Sequence, residues 1–303
     1  MSITVTFYGV RGSIPSPGNK TNIYGGNTPC ITLKHHDNII ILDAGTGIRV
    51  FGRECMAMKN IPSEYFIFIS HTHWDHIQGL PFFAPAFAKA STLNFFGPES
   101  FYESFSKIIS NQMKYAYFPI RFASLHSEKK FTELEPGIYD NLIPGVTVQT
   151  CLLNHPITDL GYSFITEGRK ISYITDFEYY SDLFIKSVRK KNESYYQEIE
   201  KYIFSNLRDE ITSFIAGADL LIIDASYTDE EYKTRTGWGH STFDDIYLLA
   251  KKARVKNLCF FHHETNRDDD ELESIEKKFI EKNKIENAVE SVFAAREGMK
   301  LNI

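Results

Sequence analysis

HTHWDH, residues 71–76, places His71, His73, Asp75 and His76 within six positions. The apolar run Tyr65-Phe66-Ile67-Phe68-Ile69 precedes it, and Gly79-Leu80-Pro81 follows. A short apolar run bounded by turn signals reads as a buried strand, so the motif reads as a loop at a strand end. His71 and His73 are two apart, so an extended segment points both imidazoles to one side. Asp75 and His76 can turn across the loop toward a second position. Imidazole nitrogen and carboxylate oxygen suit zinc, and also manganese or iron. One ion cannot comfortably use all four groups; two can.

Outward from this loop, residues 3–9 alternate like a strand and lead into a glycine- and proline-rich loop, RGSIPSPGNKTNIYGGNTPC. That loop lacks a phosphate-cradle spacing and is expected to line the mouth of the site. Strands are expected at 29–35, 38–43, 64–70, 92–97, 146–153, 161–166, 170–175, 219–224 and 257–261. Segment 75–89 has a helical pattern interrupted by Pro81 and Pro85, and 98–117, 242–253 and 268–283 read as helices. Dense apolar strands ending in polar residues suggest two packed sheets with helices over their outer faces. The expected fold is α+β, a four-layer αββα sandwich, with residues 1–303 as one domain. A helical insertion at about 178–216 breaks the rhythm and carries Lys186, Arg189, Lys190 and Lys191. Such a cluster is either a solvated helix face or a lid or partner surface beside the site.

The 43% apolar content is ample for a core, and the formal net charge of -6 gives no global basic field for a polynucleotide. Cys30, Cys55, Cys151 and Cys259 are widely spaced, which suggests neither a zinc ribbon nor a disulfide framework. With no basic, apolar leader pattern and no long apolar run, the expected home is the reducing cytoplasm, with no membrane span. Oligomeric state is left open, a homodimer included.

A two-metal site needs more ligands. His155, Asp176 and His262 each follow a strong strand, the place from which loop ligands converge above a sheet. At this point the chain resembles the metallo-β-lactamase-fold family, whose H-x-H-x-D-H signature HTHWDH matches. The resemblance runs from FYGVRGSIPSP and LDAGTG to FFHHETN. It implies the αββα sandwich, with two divalent ions, zinc first and manganese or iron as alternatives. It also implies His71, His73 and His155 on one ion, Asp75, His76 and His262 on the other, and Asp176 bridging. His262 and His263 are adjacent and point oppositely on a strand end, so only one is expected as ligand; the ribonuclease Z-like T-H-F-S pattern favours His262.

A narrower resemblance lies in DLLIIDAS followed by WGHST, which looks like the H-E-A-T and H-S-T segments of ribonuclease Z-like phosphodiesterases. Asp224 takes the Glu position and His240 the His position, while Ile223 departs from the leading His. A carboxylate there can fix the imidazole tautomer and raise its pKa, making His240 a proton donor. Ser241 or Thr242 can also cap the following helix. The expected reaction is hydrolysis of a small phosphodiester, such as a cyclic nucleotide, by a hydroxide bridging the two ions, with Asp75 orienting it. The alternatives are a transfer RNA 3′-processing endonuclease, or a lactonase or thioesterase. RNA is the less favoured partner on charge.

Overall fold

The apolar runs of the central strands are dense because both faces of each strand are buried, and side chains alternate between faces. In the computed structural model, which describes residues 2–100, 103–179 and 208–303, fourteen strands form two seven-stranded sheets. The first sheet runs β14(Lys300–Asn302)-β1(Thr4–Gly9)-β2(Cys30–His35)-β3(Asn38–Leu42)-β4(Glu64–Phe68)-β5(Thr92–Pro98)-β6(Glu128–Leu134). The second runs β13(Ser291–Ala294)-β12(Asn257–Phe261)-β11(Leu220–Asp224)-β10(Arg169–Ile174)-β9(Leu160–Thr166)-β8(Val146–Leu152)-β7(Gly137–Ile143).

Ile40, Leu42, Phe66, Phe68, Ile222 and Phe261 face the core between the sheets. Their neighbours Ile39, Ile41, Tyr65 and Ile67 pack outward in a cluster shared with helix Gly47–Ala57. Leu221, Ile223, Leu258 and Phe260 pack outward in a cluster with helices Phe243–Lys252 and Asp269–Glu286. The result is the expected sandwich, helix–sheet–sheet–helix. Strands β3 to β6 are parallel in one sheet, and β10 to β13 in the other. Their C-terminal ends therefore open at common rims, the usual place for a site.

Several elements differ from expectation. The 98–117 helix contracts to Phe105–Asn111, and 75–89 becomes the single turn Trp74–Ile77 followed by two 3-10 turns at Leu80–Phe82 and Ala84–Phe87. Pro81 and Pro85 sit in those short turns, consistent with their inability to continue a helix. Strands β6, β7, β13 and β14 were not expected. EKKFTEL and GIYDNLI are largely exposed edge strands, so they lack the apolar density that marks the inner ones. The expected insertion at 178–216 lies mostly outside the described residues, with helix at 208–214 near its end. Its basic cluster lies outside them altogether. No helix of the described residues is long and apolar enough to cross a membrane.

Candidate metal centre

Asp43, Asp176 and His262 each follow a strand end, with φ of 57°, 42° and 59°. The left-handed region is uncommon for residues with a side chain and costs about 1 kcal/mol or more. At each position the chain turns sharply off its strand, and the three side chains arrive at one rim. His155 follows β8, and the 71–76 loop follows β4.

The structure brings the seven expected metal ligands together, in two sets that share Asp176. In the first, His71 Nε2 lies 2.9 Å from His73 Nδ1, and His155 Nε2 lies 3.1 Å from the same atom. Asp176 Oδ2 faces this set, 3.6 Å from His71 Nε2 and 3.8 Å from His155 Nε2. In the second, His76 Nε2 is 3.3 Å from Asp75 Oδ2 and 3.2 Å from Asp176 Oδ1. His262 Nε2 is 3.3 Å from Asp75 Oδ2 and 3.0 Å from Asp176 Oδ1. Asp176 thus turns one oxygen to each set. Each set gathers its donor atoms within 4.8 Å of one another and could hold a metal ion. The buried His76 Nε2 has no hydrogen-bond partner while facing two carboxylates, which is the arrangement of a ligand atom rather than of a structural imidazole.

The two sets differ electrically. Burial lowers the pKa of His71 and His73 and takes His155 down to about 3, so the first set presents neutral imidazoles. Burial also opposes charge on His76 and His262. There Asp75 and Asp176 prevail for His76, and Asp176 foremost for His262, which rises to about 10. Burial raises the Asp75 and Asp176 carboxyls, but His76 for the first and His262 and His76 for the second pull them well down. Divalent ions would replace those protons.

His263 turns the other way: its Nε2 meets the Ala295 carbonyl at 2.8 Å, and burial takes its pKa down to about 3. It serves packing at the strand end rather than the site.

Sequence reasoning missed the residues that orient these groups. Asp43, fully buried, accepts from His76 Nδ1 at 2.8 Å, the Ser70 amide at 2.7 Å and the Tyr173 hydroxyl at 2.6 Å. Asp159, also fully buried, lies 3.5 Å from His71 Nδ1, and burial pushes its carboxyl up toward the neutral form. A ligand's second ring nitrogen commonly meets such a group. The signal for Asp43 was its place after the IIIL run; Asp159 gave none. The Ser13 amide donates to Asp75 Oδ2 at 2.7 Å. Gly12 lies so close that a Cβ there would stand 2.4 Å from the His262 ring. Arg11, buried, donates to the carbonyls of Gly25, Glu264 and Arg267 and pins the glycine-rich loop in this position.

Asp224 and His240 also meet. His240 Nδ1 is 2.8 Å from Asp224 Oδ2, whose other oxygen accepts from Ser226 Oγ at 2.7 Å. Burial lowers the His240 pKa, but the charge and hydrogen bond of Asp224 raise it above its ordinary value. The His240 ring stacks on His262 with centroids 5.0 Å apart. Thr242 caps the next helix through its hydroxyl, so His240 stands on a rigid mount. Glu178 stabilises the loop before His240, accepting from the Gly237 and Gly239 amides at 2.7 Å each. A cavity of about 510 Å³ opens from His240 and His262 to the surface.

Residues 38–192, just over half of the chain, match the model of the beta-lactamase superfamily domain. Among curated relatives, the ribonuclease Z of Picrophilus torridus is 25% identical over 91% of this chain and 90% of its own. That of Pyrococcus furiosus is 26% identical over 86% of each. Among solved structures, the short form of human tRNase Z superimposes with a TM-score of 0.63 at 20% identity over 98% of each chain. A metallo-beta-lactamase fold protein of Bacillus subtilis gives 0.64 at 17% identity, covering 100% of this chain and 99% of its own. These structural likenesses concern the fold.

Proposed function

Since the chain belongs to the β-lactamase superfamily and is a metal-dependent hydrolase, we propose that it cleaves phosphodiester bonds at a two-metal centre, with RNA as the substrate class. The observation that carries this is the position of Asp176 between two donor sets, with His240 and its carboxylate partner beside the second. His71, His73 and His155 would hold one ion, Asp75, His76 and His262 the other, and Asp176 both. Three imidazoles on one side favour zinc, with manganese or iron as alternatives. When bound, the ions would neutralise phosphoryl oxygens and make water acidic enough to attack near neutral pH.

The chain's own residues supply the rest. With Nδ1–H donated to Asp224, His240 keeps Nε2 to deliver a proton to the departing ester oxygen. Asp75, held by the Ser13 amide, keeps its orientation without relying on the ion alone. All site residues come from the two sheets of one sandwich, which supports residues 1–303 acting as one domain. The four cysteines are free, which suits a reducing cytoplasm.

RNA is favoured by the relatives named ribonuclease Z, matched over most of their length. A small diester such as a cyclic nucleotide remains the second reading, because a net charge of -6 offers no general attraction for a polyanion. The test is metal analysis with a hydrolysis screen over precursor transfer RNA, cyclic nucleotides, bis(p-nitrophenyl) phosphate and lactones. Asp75→Ala should lose metal and all turnover. His240→Ala should keep metal and lose about 100-fold or more in diester kcat. Lactone turnover indifferent to His240→Ala would sink the phosphodiesterase reading. RNA cleavage falling steeply from about 50 to 200 mM salt supports the polyanion; salt-insensitive cleavage of cyclic nucleotides alone would give the small substrate.

A further inference from the structure

We propose that Trp238 and Arg235 form a nucleotide-binding subsite at the mouth of the metal centre, with a nucleobase stacked on Trp238 and its sugar–phosphate on Arg235. The inference rests on the phosphodiesterase reading and adds to it the part of the substrate beside the scissile bond.

Both side chains line the cavity that ends at His240 and His262. Trp238 is 62% exposed, yet its backbone is immobilised from both sides. The amides of Gly237 and Gly239, flanking it, donate to the two oxygens of Glu178. The Tyr232 hydroxyl donates to the same carboxylate at 2.7 Å. Both glycines have φ near 90°, 91° and 93°, where a side chain would be strained. Glu178 itself is fully buried. A buried carboxylate is thus committed to a loop whose tip is an indole open to solvent. The same clamp holds the backbone on either side of Trp238 and leads directly into His240, two residues on, so the indole is mounted beside the reaction centre. An exposed aromatic face held at such a mouth fits a nucleobase, because every base offers a π-face to stack on.

Arg235 ends the helix Asp229–Arg235. Its guanidinium lies over the Tyr227 ring, 4.9 Å from the centroid, and that ring is 5.8 Å from the His240 ring. Its carboxylate neighbours are Glu231 at 3.8 Å and Glu264 at 4.0 Å, both beyond hydrogen-bond distance. Glu264 is turned instead to Asn266, accepting from its amide at 2.7 Å and from Nδ2 at 3.1 Å. The Tyr227 face and two long ion pairs together place Arg235, and it makes no direct hydrogen bond to either carboxylate, which leaves donors that a phosphate could take.

Trp74 and Trp238 are the two tryptophans, so Trp74→Phe leaves emission from Trp238 alone. Adenosine 5′-monophosphate should quench that emission saturably, and ribose 5-phosphate should not. Adding Arg235→Gln should weaken the nucleotide at least about fivefold, and Trp238→Phe should preserve its affinity in a competition assay. In turnover, Trp238→Ala should raise KM for thymidine 5′-(p-nitrophenyl phosphate) at least about fivefold with kcat nearly unchanged, and leave ethyl p-nitrophenyl phosphate within about twofold. Equal losses on both esters would mark Trp238 as merely structural and overturn the subsite. Intact hydrolysis of the ethyl ester with no quenching would overturn it too, while sparing the phosphodiesterase reading. Failure to hydrolyse either ester with metal bound would instead strike at that reading.

Discussion

Asp43 shows how much one residue can settle. It sits in a left-handed conformation after β3, fully buried, and its carboxylate gathers a histidine, a serine and a tyrosine. Taking an unpaired carboxylate from water would be prohibitive, so each contact is part of its stability. The same contacts fix the His76 tautomer, since Nδ1 is committed to Asp43 and Nε2 is left for the second donor set. Asp43→Asn should keep the packing and lose the charge. Metal affinity should fall about 10- to 100-fold, measured by competition with a chromophoric chelator, with the second equivalent affected first. Unchanged affinity for both equivalents would remove Asp43 from the site. HTHWDH was legible because three histidines and an aspartate in six residues are chemically conspicuous. Asp43 and Asp159 were not, because a single aspartate just after a strand, or just before one, looks like any turn residue until its neighbours are known.

At the scale of elements, parallel pairing explains why the site lies where it does. Strands β10, β11 and β12 run side by side, so Asp176, Asp224 and His262 emerge at one rim although they are far apart in sequence. At the opposite end of this sheet, Asp219 ties the strands together. It accepts from the Lys170 amide at 2.8 Å, Lys256 at 2.7 Å and Arg169 at 3.1 Å. Burial raises its carboxyl, but Lys256, the Lys170 amide and Arg169 outweigh burial and hold it below its ordinary value. A carboxyl depressed on folding adds stability above its unfolded pKa, and that contribution is lost as pH falls through the folded value. Asp219→Asn should therefore cost about 1–2 kcal/mol at pH 7, kept modest because Arg169 and Lys256 are half-exposed. The gap to the wild type should close below about pH 4 in urea titrations at successive pH values. A gap constant from pH 7 to pH 3 would contradict the charge account. The inner strands were legible because both their faces are buried; β6 and β7 were not, because an edge strand borrows its regularity from one neighbour.

For the whole molecule, the metal centre gathers loops from both sheets. His71, His73, Asp75 and His76 come from the first, and His155, Asp176 and His262 from the second. Ions held there would join the two halves of the sandwich. Saturation at about 1,000 times Kd adds roughly 4 kcal/mol to the folded state. Exhaustive chelation should therefore lower the melting temperature by several degrees and return of zinc should restore it, followed by calorimetry. A melting temperature indifferent to chelator, with metal loss verified, would show that the ions contribute nothing to joining the sheets.

By itself the sequence determined the fold class and the chemistry of the donor groups, because apolar periodicity and clustered ligand types are local properties. It also placed Asp224 and His240 as partners through the resemblance of their segments, and their 2.8 Å contact is what that pairing requires. Only the tertiary structure decided that Asp176 shows one oxygen to each donor set, and that His262 turns inward while His263 turns away. It alone decided that Glu178 clamps the loop of Trp238 and His240. Those relations join residues up to 187 positions apart, Asp75 and His262 the most distant of the donor pairs. Strand pairing and a few backbone turns set them, and no run of neighbouring residues carries that information.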